Sequence, residues 1–147
     1  MKNGIVIYSK TGNTRAVAER LAQAMYCQIF EIRAVSDDPN ILIPELVTKP
    51  DVSTFDHLVF ASPVHGFSVS KIMEAYLKQL KDLEGKTVDL FITHHFPFAW
   101  MGGNRALKQM KAIVEAKKGI VGKVTSVNWT SKKREQVIEE LVKTYSI

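Results

Sequence analysis

Short apolar runs and helical stripes alternate along this chain. Ile5-Val6-Ile7-Tyr8, Leu58-Val59-Phe60-Ala61 and Leu90-Phe91-Ile92 are continuous apolar runs, the pattern of parallel strands covered on both faces. Gln28–Arg33 and Val121–Val127 interleave polar with apolar residues and are predicted to be strands nearer the sheet edges. Between them Val17, Leu21, Ala24 and Met25 recur at helical spacing after Asn13-Thr14. Ile72, Ala75, Tyr76, Gln79 and Leu80 do so after Ser68 and Ser70, either of which suits a helix cap. Leu107, Met110 and Val114 form a third stripe, and Val137, Leu141 and Tyr145 a fourth, with Ser131 as its expected cap. Ser36–Thr54 breaks the rhythm with Pro39, Pro44 and Pro50. It is given at most a short helix, yet it is long enough to cross between parallel strands. The order β-α-β-(short α)-β-α-β-α-β-α predicts an α/β fold: one five-stranded parallel sheet with helices on both faces.

Composition narrows the classes that fit. The 147 residues suit one domain spanning 1–147. A single cysteine, Cys27, excludes a disulfide framework or a multi-Cys metal cluster within the chain; it is expected to be a buried, inert thiol. No apolar run is long enough to span a bilayer, and Ile5–Tyr8 is too short for a signal-peptide core, so the chain is expected to be cytoplasmic. Net charge is +5, and it is unevenly placed. Residues 1–73 carry seven Lys/Arg and seven Asp/Glu, whereas residues 74–147 carry thirteen and eight. Cationic side chains coating helices account for most of this excess; Arg105, Lys108 and Lys111, opposite Leu107 and Val114, are one such face, placed to steer a negatively charged partner.

In an open α/β sheet ligands bind beyond the carboxyl ends of the strands, so the loops after the apolar runs carry the chemistry. Ser9-Lys10-Thr11-Gly12-Asn13-Thr14 packs three hydroxyls, an amide and a glycine into six residues before a helix. Gly12 permits backbone angles that turn successive N–H groups onto an anion, and the helix N-terminus adds unsatisfied donors and partial positive charge. A plain cap needs one Ser or Thr, not this density. The loop is neither a G-x-x-x-x-G-K-[ST] nor a G-x-G-x-x-G motif. Ser9-Lys10 and Ser62 stand where a response-regulator receiver domain keeps its acids. With Ile5–Tyr8 before it and Ala18 and Leu21 after it, the loop resembles the flavodoxin signature, in which it cradles the phosphate of FMN. The resemblance covers nearly the whole chain and implies a flavodoxin-like three-layer α/β/α sandwich with strand order 2-1-3-4-5.

Two further loops extend the resemblance. Ser62-Pro63-Val64-His65-Gly66-Phe67-Ser68 is similar to the flavodoxin loop bordering the isoalloxazine, where a peptide turns its carbonyl toward flavin N5 on one-electron reduction. His65-Gly66 is the corresponding peptide here. Thr93-His94-His95-Phe96-Pro97-Phe98-Ala99-Trp100-Met101-Gly102-Gly103 is similar to the third FMN loop of flavodoxin domains in flavodiiron-type proteins. The resemblance carries over Thr93, His94, Trp100, Met101 and Gly102, with Trp100 as a side chain that can stack on the ring. His65, His94 and His95 lack a neighbouring carboxylate, and no metal site is expected.

These readings imply an FMN-binding electron-transfer protein with no catalytic acid or base of its own. An FMN-dependent NAD(P)H reductase of quinones or nitro compounds and a non-redox binding module remain the alternatives on the same scaffold. The expected partner is a redox protein. Flavodoxins are commonly acidic and this chain is basic, so an acidic partner becomes compatible. Nucleic acid and membrane are not expected, and the chain is expected to be a monomer or weak dimer.

Overall fold

The structure is a computed structural model and describes residues 2–95 and 103–147. Its elements, in chain order, are β1 (Asn3–Ile7), α1 (Asn13–Met25), β2 (Ile29–Glu31), β3 (Arg33–Ala34), β4 (Leu46–Thr48), β5 (His57–His65), β6 (Ser68–Val69), α2 (Lys71–Gln79), β7 (Thr87–His94), α3 (Gly103–Ala116), β8 (Ile120–Asn128) and α4 (Arg134–Tyr145). Five strands run parallel in the order β2-β1-β5-β7-β8. That is the predicted 2-1-3-4-5 sheet. Two small additions accompany it: β6 folds back antiparallel on the end of β5, and β3 pairs antiparallel with β4 in a separate two-stranded sheet.

Strand alternation sorts the apolar runs into two cores. Ile5 and Ile7 of β1, Val59 and Ala61 of β5, and Phe91 of β7 pack against Val17 and Leu21 of α1 and Ile138 and Leu141 of α4. Their neighbours Val6, Leu58, Phe60, Leu90 and Ile92 pack on the other side against Ile72, Met73 and Tyr76 of α2 and Met110 and Val114 of α3. Every one of these is buried, so the three layers enclose the central strands on both faces.

The structure corrects several local expectations. No helix forms in Ser36–Thr54; the segment leaves β3, loops outward and returns as β4. The prolines deny it the run of N–H donors a helix needs, and Tyr76 Oη fixes its far end by donating to the Pro50 carbonyl at 2.6 Å. In α1, Ala24 is exposed and Ala18 takes the buried place; in α4, Ile138 is buried while Val137 is half-buried. Ser131 does not cap α4. The cap position is Lys133, which makes no side-chain cap bond, and Ser131 Oγ instead accepts the Lys133 N–H at 3.1 Å. Cys27 is half-buried rather than buried, and burial pushes its thiol pKa up, as expected for an unreactive thiol. Among the described residues, no helix is long and apolar enough to cross a membrane.

Candidate functional site at the carboxyl ends of the central strands

The loop after β1 has the backbone that its composition implies. Gly12 occupies the N-cap position of α1 with φ 95° and ψ −7°, a left-handed conformation that L side chains rarely adopt. No side chain caps the helix from that position, and nothing lies within 4 Å of where a Gly12 Cβ would stand. The first turn of α1 therefore ends in open space. Lys10, Thr11 and Gly12 are exposed, Ser9 and Asn13 are half-buried, and Ser9 Oγ accepts the Arg15 N–H at 3.3 Å.

Thr14 faces inward. Its hydroxyl lies 2.8 Å from that of Thr93, the last residue but one of β7, and both side chains are buried. Asn13 Nδ2 and His95 Nε2 are hydrogen-bonded at 3.2 Å. Two contacts thus join the loop after β1 to the end of β7. Sequence reasoning missed His95 and favoured its neighbour, because adjacent residues of a strand end point to opposite faces and the sequence does not say which faces the loop. His94 is buried, with its ring 3.4 Å from the point where a Gly103 Cβ would stand.

The loop after β5 is a hairpin. Val64 pairs with Val69 and His65 with Ser68, and the turn between them, Gly66-Phe67, has φ of 55° and 65°. Such paired positive values are those of a type I′ turn. Gly66 meets that demand without strain, whereas Phe67 holds it as a bulky, half-exposed residue. Pro63, Val64 and His65 are half-buried. Ser62 is fully buried and occupied elsewhere: its hydroxyl donates to the Pro63 carbonyl and lies 2.7 Å from Ser70 Oγ, which accepts the Met73 N–H and caps α2. Of the two cap candidates, Ser70 is the one used.

Behind the hairpin is a group the sequence did not single out. Tyr8 Oη donates to Asp37 Oδ1 at 3.2 Å, and the His65 ring stands edge-on to Tyr8 with centroids 6.1 Å apart. Burial lowers the His65 pKa below 6.5; the nearby Lys10 charge adds to this, and Asp37 opposes it. Burial, with Asp37 as neighbour and acceptor, pushes the Tyr8 phenol well up. The only hint in the sequence is that Tyr8 ends an otherwise aliphatic run.

The structure thus brings Ser9–Thr14, Thr93 and His95 together, with His65–Phe67 on a hairpin at the carboxyl end of the next strand. Trp100, Met101 and Gly102 lie outside the described residues, as do Phe96 and Phe98. Among the described residues, no group of three His, Cys, Asp or Glu side chains is arranged to hold a metal ion.

The chain belongs to the flavodoxin family: the family described as flavodoxin domain matches residues 5–96. No curated protein sequence matches it significantly. Solved structures match it over nearly their full length at low identity. A candidate flavoprotein of Bacteroides uniformis is 22% identical with a TM-score of 0.72, over 95% of this chain and 97% of that one. A Lactobacillus acidophilus flavoprotein solved in complex with FMN is 17% identical, TM-score 0.69, over 92% and 97%. A Fusobacterium nucleatum flavodoxin bound to flavin mononucleotide is 15% identical, TM-score 0.68, over 99% and 97%.

Proposed function

We propose that this chain binds FMN at the carboxyl ends of β1, β5 and β7 and works as a cytoplasmic electron-transfer protein with a redox protein as partner. The observation that carries the reading is the first loop. A left-handed Gly12 with open space before it, an N-cap position that supplies no side-chain cap bond, and exposed Thr11 beside Ser9, whose hydroxyl reaches the Arg15 N–H of the first turn, make an anion cradle fitted to a phosphate. FMN-bound structures of the same fold support the choice of ligand.

In this reading Ser9, Lys10, Thr11, Gly12, Asn13 and Thr14 hold the phosphate, and Thr93 sets the position of Thr14. The loops that contain His65, Gly66 and Phe67, and His94, Trp100, Met101 and Gly102, border the ring, with Pro63 and Val64 supporting the hairpin and Ser62 anchoring its root to α2. The flavin supplies the redox chemistry. The protein binds and orients it, limits its contact with water, and through the His65-Gly66 peptide places a backbone dipole beside it.

Comparing FMN with riboflavin isolates the phosphate contribution. Wild-type protein is expected to bind FMN at least ~100-fold more tightly, since several charge-assisted hydrogen bonds are lost with the phosphate. Thr11→Val is expected to weaken FMN and leave riboflavin unchanged. Equal affinity for the two flavins would overturn the phosphate assignment.

A further inference from the structure

The charges on α3 are arranged against the stability of that helix. Acids belong near a helix N-terminus and cations near its C-terminus. α2 obeys, with Glu74 in its first turn and Lys78 in its last, and so does α4, with Glu135 and Lys143. α1 and α3 have no acid in the first turn and no base in the last. In α3 Arg105 stands third in the helix, followed by Lys108 and Lys111, all exposed. Its one acid, Glu115, comes at the far end.

These cations also lack partners. Arg15 is in an early turn of α1, but it pairs with Glu19 and Glu31; Arg20 pairs with Glu135 and Arg33 with Glu31. Among the described residues, Arg105, Lys108 and Lys111 form no ion pair within 4.0 Å. α1 and α4 are joined by the Arg20–Glu135 pair, and α4 carries Glu135, Glu139 and Glu140 beside its cations, whereas the three cations of α3 share their helix with the single acid Glu115.

This face is fixed to the candidate site. α3 begins directly after the third loop, and Gly103 packs so closely that an added Cβ would stand 2.7 Å from Ser126 Oγ of β8. Gln109 Oε1 accepts the Val69 N–H of β6 at 2.9 Å, tying the helix to the hairpin of the second loop. Beside that tie runs an open groove of ≈ 600 Å³ lined by Asn104, Arg105, Lys108, Gln109 and Ala112.

We infer that the exposed face of α3 is the docking surface for an acidic redox protein, one that presents carboxylates around its own redox centre. The inference rests on the flavin reading for the purpose of docking. Unpaired charge at the site's rim raises the encounter rate with a partner of opposite sign. An acidic protein fits better than nucleic acid, because α3 carries no aromatic side chain on which a base could stack.

The test compares two triple reversals in the full chain: Arg105→Glu with Lys108→Glu and Lys111→Glu, and, as a scattered control of equal charge, Lys49→Glu with Lys132→Glu and Lys143→Glu. The probe is an acidic plant-type [2Fe–2S] ferredoxin. FMN content is read from absorbance in each variant, electron exchange by stopped flow, and docking by amide shift mapping, which needs no flavin. The α3 triple is expected to retain FMN, to slow exchange at low salt at least ~10-fold and to flatten its salt dependence. The scattered triple is expected to change the rate less than ~3-fold, and ferredoxin is expected to shift amides of α3. Equal slowing by both triples, no slowing by either, or displacement of ferredoxin from α3 by equimolar duplex DNA would overturn the inference. Loss of FMN from wild type with α3 amides still shifted would overturn the flavin reading alone.

Discussion

The hydroxyls of Thr14 and Thr93 meet at 2.8 Å inside the protein, joining the first turn of α1 to the end of β7. The two residues are 79 positions apart in sequence, and this contact aligns the first and third loops of the site. Replacing either by valine keeps the shape and strands one buried hydroxyl, at a cost of ~1–2 kcal/mol. The double variant, Thr14→Val with Thr93→Val, strands none and is expected to cost less than the sum of the singles. Urea unfolding of the four proteins gives the coupling directly.

Gly12 is expected to tolerate alanine sterically but not conformationally. The space before it is open, so no clash arises, whereas φ of 95° is strained for any L residue. Gly12→Ala should lower stability by ~1 kcal/mol and weaken FMN retention, because relaxing φ turns the loop N–H groups away. Thermal unfolding and a flavin titration on the same variant separate the two effects.

A second polar cluster lies at the opposite end of the sheet. Asp89 is buried in β7; one carboxylate oxygen meets His57 Nε2 at 2.7 Å and the other accepts the Lys123 N–H at 2.7 Å. His57 Nδ1 lies 3.2 Å from Asn3 Oδ1. The register of β7 on β8 shifts between Val88 and Leu90, opposite this carboxylate, and a Gly122 Cβ would stand 2.6 Å from its oxygen. Burial by itself would raise the Asp89 pKa, but the His57 and Lys123 hydrogen bonds outweigh it and hold it below 3.8. A depressed carboxylate contributes stability above its unfolded pKa and loses it as pH falls through the folded one. Asp89→Ala should therefore cost ~3 kcal/mol at neutral pH and flatten the acid limb of the stability curve below about pH 4. Denaturant midpoints from pH 2 to 7 check both.

His65 should give a slope of the same sign in a different window. Its folded pKa lies below the ordinary 6.5 because it is buried, next to Lys10. The unfolded chain then binds the proton more readily, so stability falls as pH drops below about 6.5 toward the folded value. His65→Gln removes that slope and leaves the Asp89 limb in place.

How much of this was legible in the sequence depended on the range of the interaction. The runs Ile5–Tyr8, Leu58–Ala61 and Leu90–Ile92 became the three central strands because a strand covered on both faces has little freedom in composition. The Ser9–Thr14 loop was legible because each of its residue types serves a local backbone need, Gly12 above all. Asp89 was not: a lone acid in an apolar strand makes sense only beside His57, 32 residues away, and beside a break in register that no local pattern announces. Tyr8 with Asp37, and Asn13 with His95, were hidden for the same reason. Ser131 was misassigned because a serine two residues early makes the same local turn as a cap. The β3–β4 pair was missed because three prolines mask two very short strands.

The central claim is that the chain holds FMN in one site at the carboxyl ends of β1, β5 and β7. The most direct measurement is a visible absorption spectrum after incubation with FMN and removal of the excess, followed by stepwise anaerobic reduction. Retained flavin bands at about one FMN per chain, the single switch-point site of this topology, with a midpoint potential displaced from that of free FMN, are the expected result. A spectrum without flavin bands, or retention far from one FMN per chain, would contradict it.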